Sequence, residues 1–96
     1  MTAFNVVRFK VRPGKDHAFL SAHGPGKVNW PSLQQGTIIR IGAGDYCLIG
    51  EWLDEQALKA ALPSMLATLD TFRDVLLPTT SGVTEAMSGQ AVLAIA

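Results

Sequence analysis

The stretch Tyr46-Cys47-Leu48-Ile49-Gly50-Glu51-Trp52-Leu53-Asp54 passes from one periodicity to another. Up to Trp52 it is a short apolar run, as a buried strand reads. Beyond Asp54 the apolar residues recur at steps of four and three, so Leu58, Leu62, Met65, Leu69, Phe72 and Leu76 share one side of a helix. That stripe has to be covered, and the strand before it, with whatever strands pair to it, is the natural cover. Asp54 is placed to cap the helix, and Glu55 adds negative charge where the helix dipole favours it. Pro63 interrupts the pattern without shifting its phase, which predicts one kinked helix rather than two. Pro78 ends it.

Working outward, Phe4 to Arg12 alternates. Asn5, Val7, Phe9 and Val11 face one way, and Phe4, Val6, Arg8 and Lys10 the other. Pro13-Gly14 stops this first strand, and Lys15 to His23 reads as a short helix with Phe19, Leu20 and His23 on one side, closed by Gly24-Pro25-Gly26. The segment to Gln35 has no sustained period and reads as an ordered loop anchored by Trp30. Thr37 to Ile41 is a second strand, and Gly42-Ala43-Gly44-Asp45 turns it antiparallel into the third. There, Tyr46, Leu48, Gly50 and Trp52 share one face, and Cys47, Ile49 and Glu51 the other. After a loop over Thr79 to Gly82, Val83 to Gln90 is mixed, with a short strand and a bulge at Ser88-Gly89 expected. Ala91 to Ile95 reads as the last strand. The order βαββαβ is α+β and ferredoxin-like: a four-stranded antiparallel sheet with both helices on one face. The other face then needs a cover, and a second copy burying on the order of 1,600 Å² is the simplest.

With 96 residues, 48% of them apolar and 17% charged, the chain is expected to form one domain over residues 1–96 with a thin core and more apolar surface than a monomer usually shows. The formal net charge of zero removes the long-range attraction that nucleic acid or anionic lipid binding relies on, so neither partner is expected. No run approaches the roughly 18 apolar residues of a membrane span, and Met1-Thr2-Ala3-Phe4-Asn5 lacks the basic and apolar regions of a signal peptide. With the single Cys47 inside a strand, a cytoplasmic setting is the default expectation. His17 and His23 lack a metal-binding spacing, and the glycines between strands two and three form a turn rather than a phosphate cradle, so no metal is expected.

The Pro13-Gly14-Lys15 turn after a first strand, the Glu51-Trp52 pair ending the third and Ala57 in the following helix resemble the antibiotic biosynthesis monooxygenase family of dimeric α/β-barrel proteins. The resemblance implies a homodimer with a pocket between sheet and helices in each subunit. It further implies a cofactor-free oxygenase acting on a small apolar or aromatic compound; the alternative is a non-catalytic small-molecule-binding or structural dimer. Trp52 matches the family's tryptophan and is expected to line that pocket or to fill core beneath the helix. Haem-degrading members place an asparagine on strand one, here at Val7 with Asn5 two residues away on the same face, and a histidine on the second helix, here near Leu62-Pro63, where no ligand stands. The cofactor-independent oxygenases use asparagine, tryptophan, tyrosine and arginine. Of these only Trp52 and, loosely, Arg73 have counterparts. Arg73 either holds an anionic substrate oxygen or pairs with Asp70 on the surface. His23 either reaches the pocket mouth as a general base or caps its helix. Trp52 and Asn5 are thus the expected substrate contacts, His23 and Arg73 the candidate catalytic groups, and no cofactor is implied. Glu51 is expected to meet Arg8 or Arg40.

Overall fold

Alternation in the first strand sets the layers. In the computed structural model, which describes residues 2–79 and 82–96, β1 (Ala3–Lys10) pairs antiparallel on one side with β3 (Asp45–Trp52) and on the other with β4 (Thr84–Gln90). β2 (Leu33–Gly42) adds to β3, giving one four-stranded antiparallel sheet of order β2-β3-β1-β4. Helices α1 (Asp16–Ser21) and α2 (Glu55–Asp70) connect the strands, so the order is the expected βαββαβ. The centre of the loop over Thr79 to Gly82 lies outside the described residues, as does Met1.

Register decides which side chains meet. Asn5, Val7 and Phe9 stand opposite Gly50, Leu48 and Tyr46 of β3 on the face that the helices cover. There Phe19 of α1 packs against Phe9 and Tyr46 at ring-centroid separations of 5.1 and 5.0 Å, and Phe72 against Phe9 at 5.8 Å. Trp52, Tyr46, Phe19 and Leu76 are fully buried there. Tyr46 keeps its hydroxyl satisfied by donating to Asp16 Oδ2 at 2.5 Å.

α2 begins as its cap predicts, with Asp54 Oδ1 accepting from the Ala57 amide at 2.7 Å. Pro63 is carried inside it. The helix stops at Asp70, and Arg73–Val75 forms a 3₁₀ turn that returns Phe72, Val75 and Leu76 to the core. The stripe is therefore broken at one place. Leu62 is 49% exposed while Ala61 is fully buried, because a small side chain lets the helix sit close to the sheet and turns its neighbour outward. Leu20 likewise faces solvent rather than joining Phe19.

Element boundaries differ from the reading of the sequence in several places. β2 starts at Leu33 instead of Thr37, with a register irregularity before Gln35. The short strand expected within Val83 to Gln90 is the last one, Thr84–Gln90, while Ala91 to Ile95 is not a strand, and there is no bulge at Ser88-Gly89, which pair regularly with Asn5 and Phe4. The reason is the length of its partner. Gln90 stands opposite Ala3, the first residue of β1, and the Ala91 amide donates once more, to the Thr2 carbonyl, which is the last ladder bond between the two strands among the described residues. Val92, Leu93 and Ile95 are consequently exposed.

On the reverse face of the sheet, Arg8 pairs with Asp45 diagonally across β1 and β3, at 2.6 Å, instead of with Glu51. Glu51 stands opposite Phe4, too far along the strand to compete. Arg40 is on the helix-covered face, its guanidinium 5.6 Å from the Tyr46 ring centre.

Candidate functional site

α2 packs on β1 and β3, and leaves the inward face of β4 uncovered. The inward positions of β4 beside Val7 and Asn5 are Ala86 and Ser88, too small to fill the gap. A cavity of about 430 Å³ results, floored by Asn5, Val7 and Phe9 of β1 and roofed by Leu58, Met65 and Leu69 of α2. Leu62, Leu66, Glu55 and Lys59 also line it, and Trp30 and His23 enter from the segments between α1 and β2.

Asn5 is the buried polar group of this floor, 6% exposed. Its Oδ1 accepts from the Trp52 indole Nε1 at 2.8 Å. An indole N–H can only donate, so the amide has one orientation and its Nδ2 points the other way. There it meets the Met65 sulfur at 3.8 Å, a weak acceptor. Gly50 makes the pair possible: it faces Asn5 across the ladder, and a Cβ there would lie 2.3 Å from Asn5 Oδ1. Glycine inside a strand marks such a close approach.

Trp52 itself is fully buried and stands behind Asn5, with Trp30 stacked on it at 6.3 Å and an interplanar angle of 19°. Trp30, not Trp52, lines the cavity. Its Nε1 donates to Thr68 Oγ1 at 2.9 Å, and that hydroxyl donates on to the Ser64 carbonyl, which ties the loop to α2.

His23 both closes the end of its helix and reaches the cavity. Its Nδ1 lies 3.0 Å from the Phe19 carbonyl, closing the end of α1, and the ring lines the cavity against Phe72 at 4.6 Å. A carbonyl only accepts, so Nδ1 carries the proton. Nε2 of the neutral ring then holds a free lone pair, with no hydrogen bond to it among the described residues. Burial pushes the imidazole below its ordinary value, and the bond to Phe19 offsets part of that. Arg73 is exposed and pairs with Asp70 at 2.8 Å, away from the cavity wall.

The His23 shift fixes a sign. The unfolded chain binds a proton at His23 more readily than the folded one, so folding weakens as pH falls through about 6.5 and levels off below the folded value. Asp45, held below the usual carboxylate range by its hydrogen bond from Arg8, contributes only at lower pH still. Thermal unfolding is expected to be flat above pH 7.5 and to shift to lower temperature between pH 6.5 and 5. His23→Leu should remove that shift, and an unchanged slope would show that other groups cause it.

Sequence reading pointed to Asn5 and His23, which the fold brings to one cavity, and to Trp52 and Arg73, which it does not place on the wall. It missed Trp30, Met65 and Gly50 as parts of the site. Only Gly50, a glycine on the same strand face as Trp52, carried a signal that could have been used. Where haem-degrading proteins need an imidazole on the second helix, α2 offers Leu62 and Pro63, so the residues do not fit a haem held in that way. No group of three His, Cys, Asp or Glu side chains forms a metal cluster among the described residues, and no helix is long and apolar enough to cross a membrane.

No family model matches the sequence, and no curated protein matches it. Solved structures do. A candidate antibiotic biosynthesis monooxygenase of Nitrosomonas europaea superposes with a TM-score of 0.76 at 14% identity, over 95% of this chain and 90% of that one. A second, from Chloroflexus aurantiacus, gives 0.73 at 14% identity over 100% and 98%. SnoaB of Streptomyces nogalater, described as a cofactor-independent oxygenase, gives 0.67 at 20% identity over 98% and 96%. Sequence identity this low carries the architecture and no further, and the chain has the ferredoxin-like fold of the antibiotic biosynthesis monooxygenase-like proteins.

Proposed function

We propose that the cavity takes a small hydroxylated aromatic compound and that the chain acts on it as a cofactor-independent oxygenase. One observation carries the reading: an apolar cavity holds a fixed donor, Asn5 Nδ2, and a free imidazole lone pair, His23 Nε2. Asn5 and Phe9, against which the His23 ring lies at 6.2 Å, are four residues apart on β1, roughly 13 Å along the strand. That spacing suits a flat compound of two or three fused rings lying on Val7.

In this chemistry His23 Nε2 takes the proton of the substrate, and Asn5 Nδ2 donates to the oxygen where negative charge collects. The carbanion-like form gives one electron to dioxygen, the two radicals combine into a C–O bond, and the peroxide loses water to leave a carbonyl. One oxygen atom ends in the product and the other in water, so the substrate supplies every electron. The leucine-lined wall gives the anion a largely apolar surround. The fold shared with SnoaB supports the reading.

Dioxygen consumption with a panel of hydroxylated anthrones and naphthols tests it. Uptake above the buffer rate is expected for at least one compound, and none across the panel overturns the oxygenase. Binding without uptake would instead identify a carrier, the reading that the scarcity of polar groups on the wall favours.

The assembly belongs to the same proposal. Phe4, Val6, Cys47 and Ile49 are half-buried on the reverse face, and Ile39 and Met87 are exposed on the same face as the Arg8–Asp45 pair. A second copy laid over this face would cover it. Light scattering at micromolar concentration is expected to return twice the 10.3 kDa chain mass, and the mass of one chain would defeat the dimer.

A further inference from the structure

The Asn5 amide has two N–H donors, and Trp52 occupies only its oxygen. Burial makes an unmade hydrogen bond expensive, yet what the cavity offers Nδ2 is a thioether at 3.8 Å. An oxygen acceptor would sit at about 2.9 Å and bind more strongly. Methionine is unbranched and turns about three bonds, so its sulfur can withdraw without disturbing the helix that bears it. Met65 lies on the roof of the cavity, directly across from Asn5, and is partly buried against the core.

We propose that the Met65 sulfur is a displaceable acceptor that occupies the Asn5 amide while the cavity is empty, and that its strength sets how far the site prefers ligands bearing a carbonyl or phenolate oxygen over hydrocarbons of the same shape. The proposal rests on the ligand-binding reading above. A ligand oxygen reaching Nδ2 exchanges a weak bond for a better one, and the preference is the difference between the two. A hydrocarbon leaves sulfur and amide together and gains nothing from the exchange. Weakening the resident acceptor therefore raises the preference, and strengthening it lowers the preference. Simple loss of packing would move both ligands alike.

Equilibrium dialysis with 9-fluorenone and fluorene, matched in shape and differing in one carbonyl, reads this as a ratio of dissociation constants. Met65→Leu removes the resident acceptor and is expected to raise the ketone-to-hydrocarbon preference about twofold, the low end of what a neutral hydrogen bond contributes. Met65→Gln places an amide oxygen against Asn5 and is expected to lower it by a similar factor. A ratio that stays constant in both variants, or moves in the same direction in both, overturns the displaceable acceptor and leaves the pocket standing. If neither compound binds the wild-type chain, the pocket reading falls, and this inference with it.

Discussion

Gly50→Ala is expected to lower the free energy of unfolding by about 3 kcal/mol, among the largest effects open to a single methyl group in this chain. In a strand interior alanine is ordinarily the better residue, by roughly 0.5–1 kcal/mol, so without a clash the substitution would stabilise. Here the added Cβ falls 2.3 Å from Asn5 Oδ1 and 2.9 Å from Trp52 Nε1. It would wedge apart the two atoms whose hydrogen bond holds the site together. Either the bond breaks, leaving a buried indole N–H and a buried amide oxygen without partners, or β1 and β3 separate locally. Urea unfolding measures the change, and a stability equal to or above wild type would show that the sheet relaxes around the methyl group. In a double-mutant cycle, Asn5→Ala should recover part of the loss in the Gly50→Ala background, because the clash is chiefly with the Asn5 side chain.

His23→Gln should reduce dioxygen uptake by a factor of about 10² to 10⁴ while leaving substrate affinity within a few-fold of wild type. Glutamine keeps the volume and can still donate to the Phe19 carbonyl, so the end of α1 is preserved. What it lacks is a basic nitrogen. In the wild-type chain burial among Phe9, Phe19 and Phe72 keeps the imidazole neutral to lower pH than a free histidine, so uptake should persist below pH 6.5 before falling. The variant should lose that acid limb along with the rate. A turnover rate within tenfold of wild type would mean that proton removal is carried by another group or is unnecessary.

Much of the architecture was legible because it rests on local rules. The alternation of β1, the turn at Gly42 to Asp45, the Asp54 cap and the four-three spacing of α2 each report on a few neighbouring residues. Together they leave one strand order of low complexity. The last strand was misplaced because Ala91 to Ile95 is the more apolar segment, and hydropathy cannot see where the partner strand ends. That limit is set by Ala3.

The site was legible only in part, for a similar reason. Asn5 was reached only through the family resemblance, two residues from the asparagine position at Val7, and Arg73 was readable as a surface partner of Asp70 three residues away. Met65 read as core because a stripe does not reveal where the opposing sheet is shallow. Trp30 lay in a segment without a period, and its stacking on Trp52 joins residues 22 positions apart through packing alone.

That stacked pair has a practical outcome. The chain holds two tryptophans, both indoles belong to this one corner, and they are near enough and parallel enough to couple electronically. Ultraviolet emission and near-ultraviolet dichroism from the whole molecule therefore come largely from a single address beside the cavity, and its occupancy by an added compound can be followed there with no label attached.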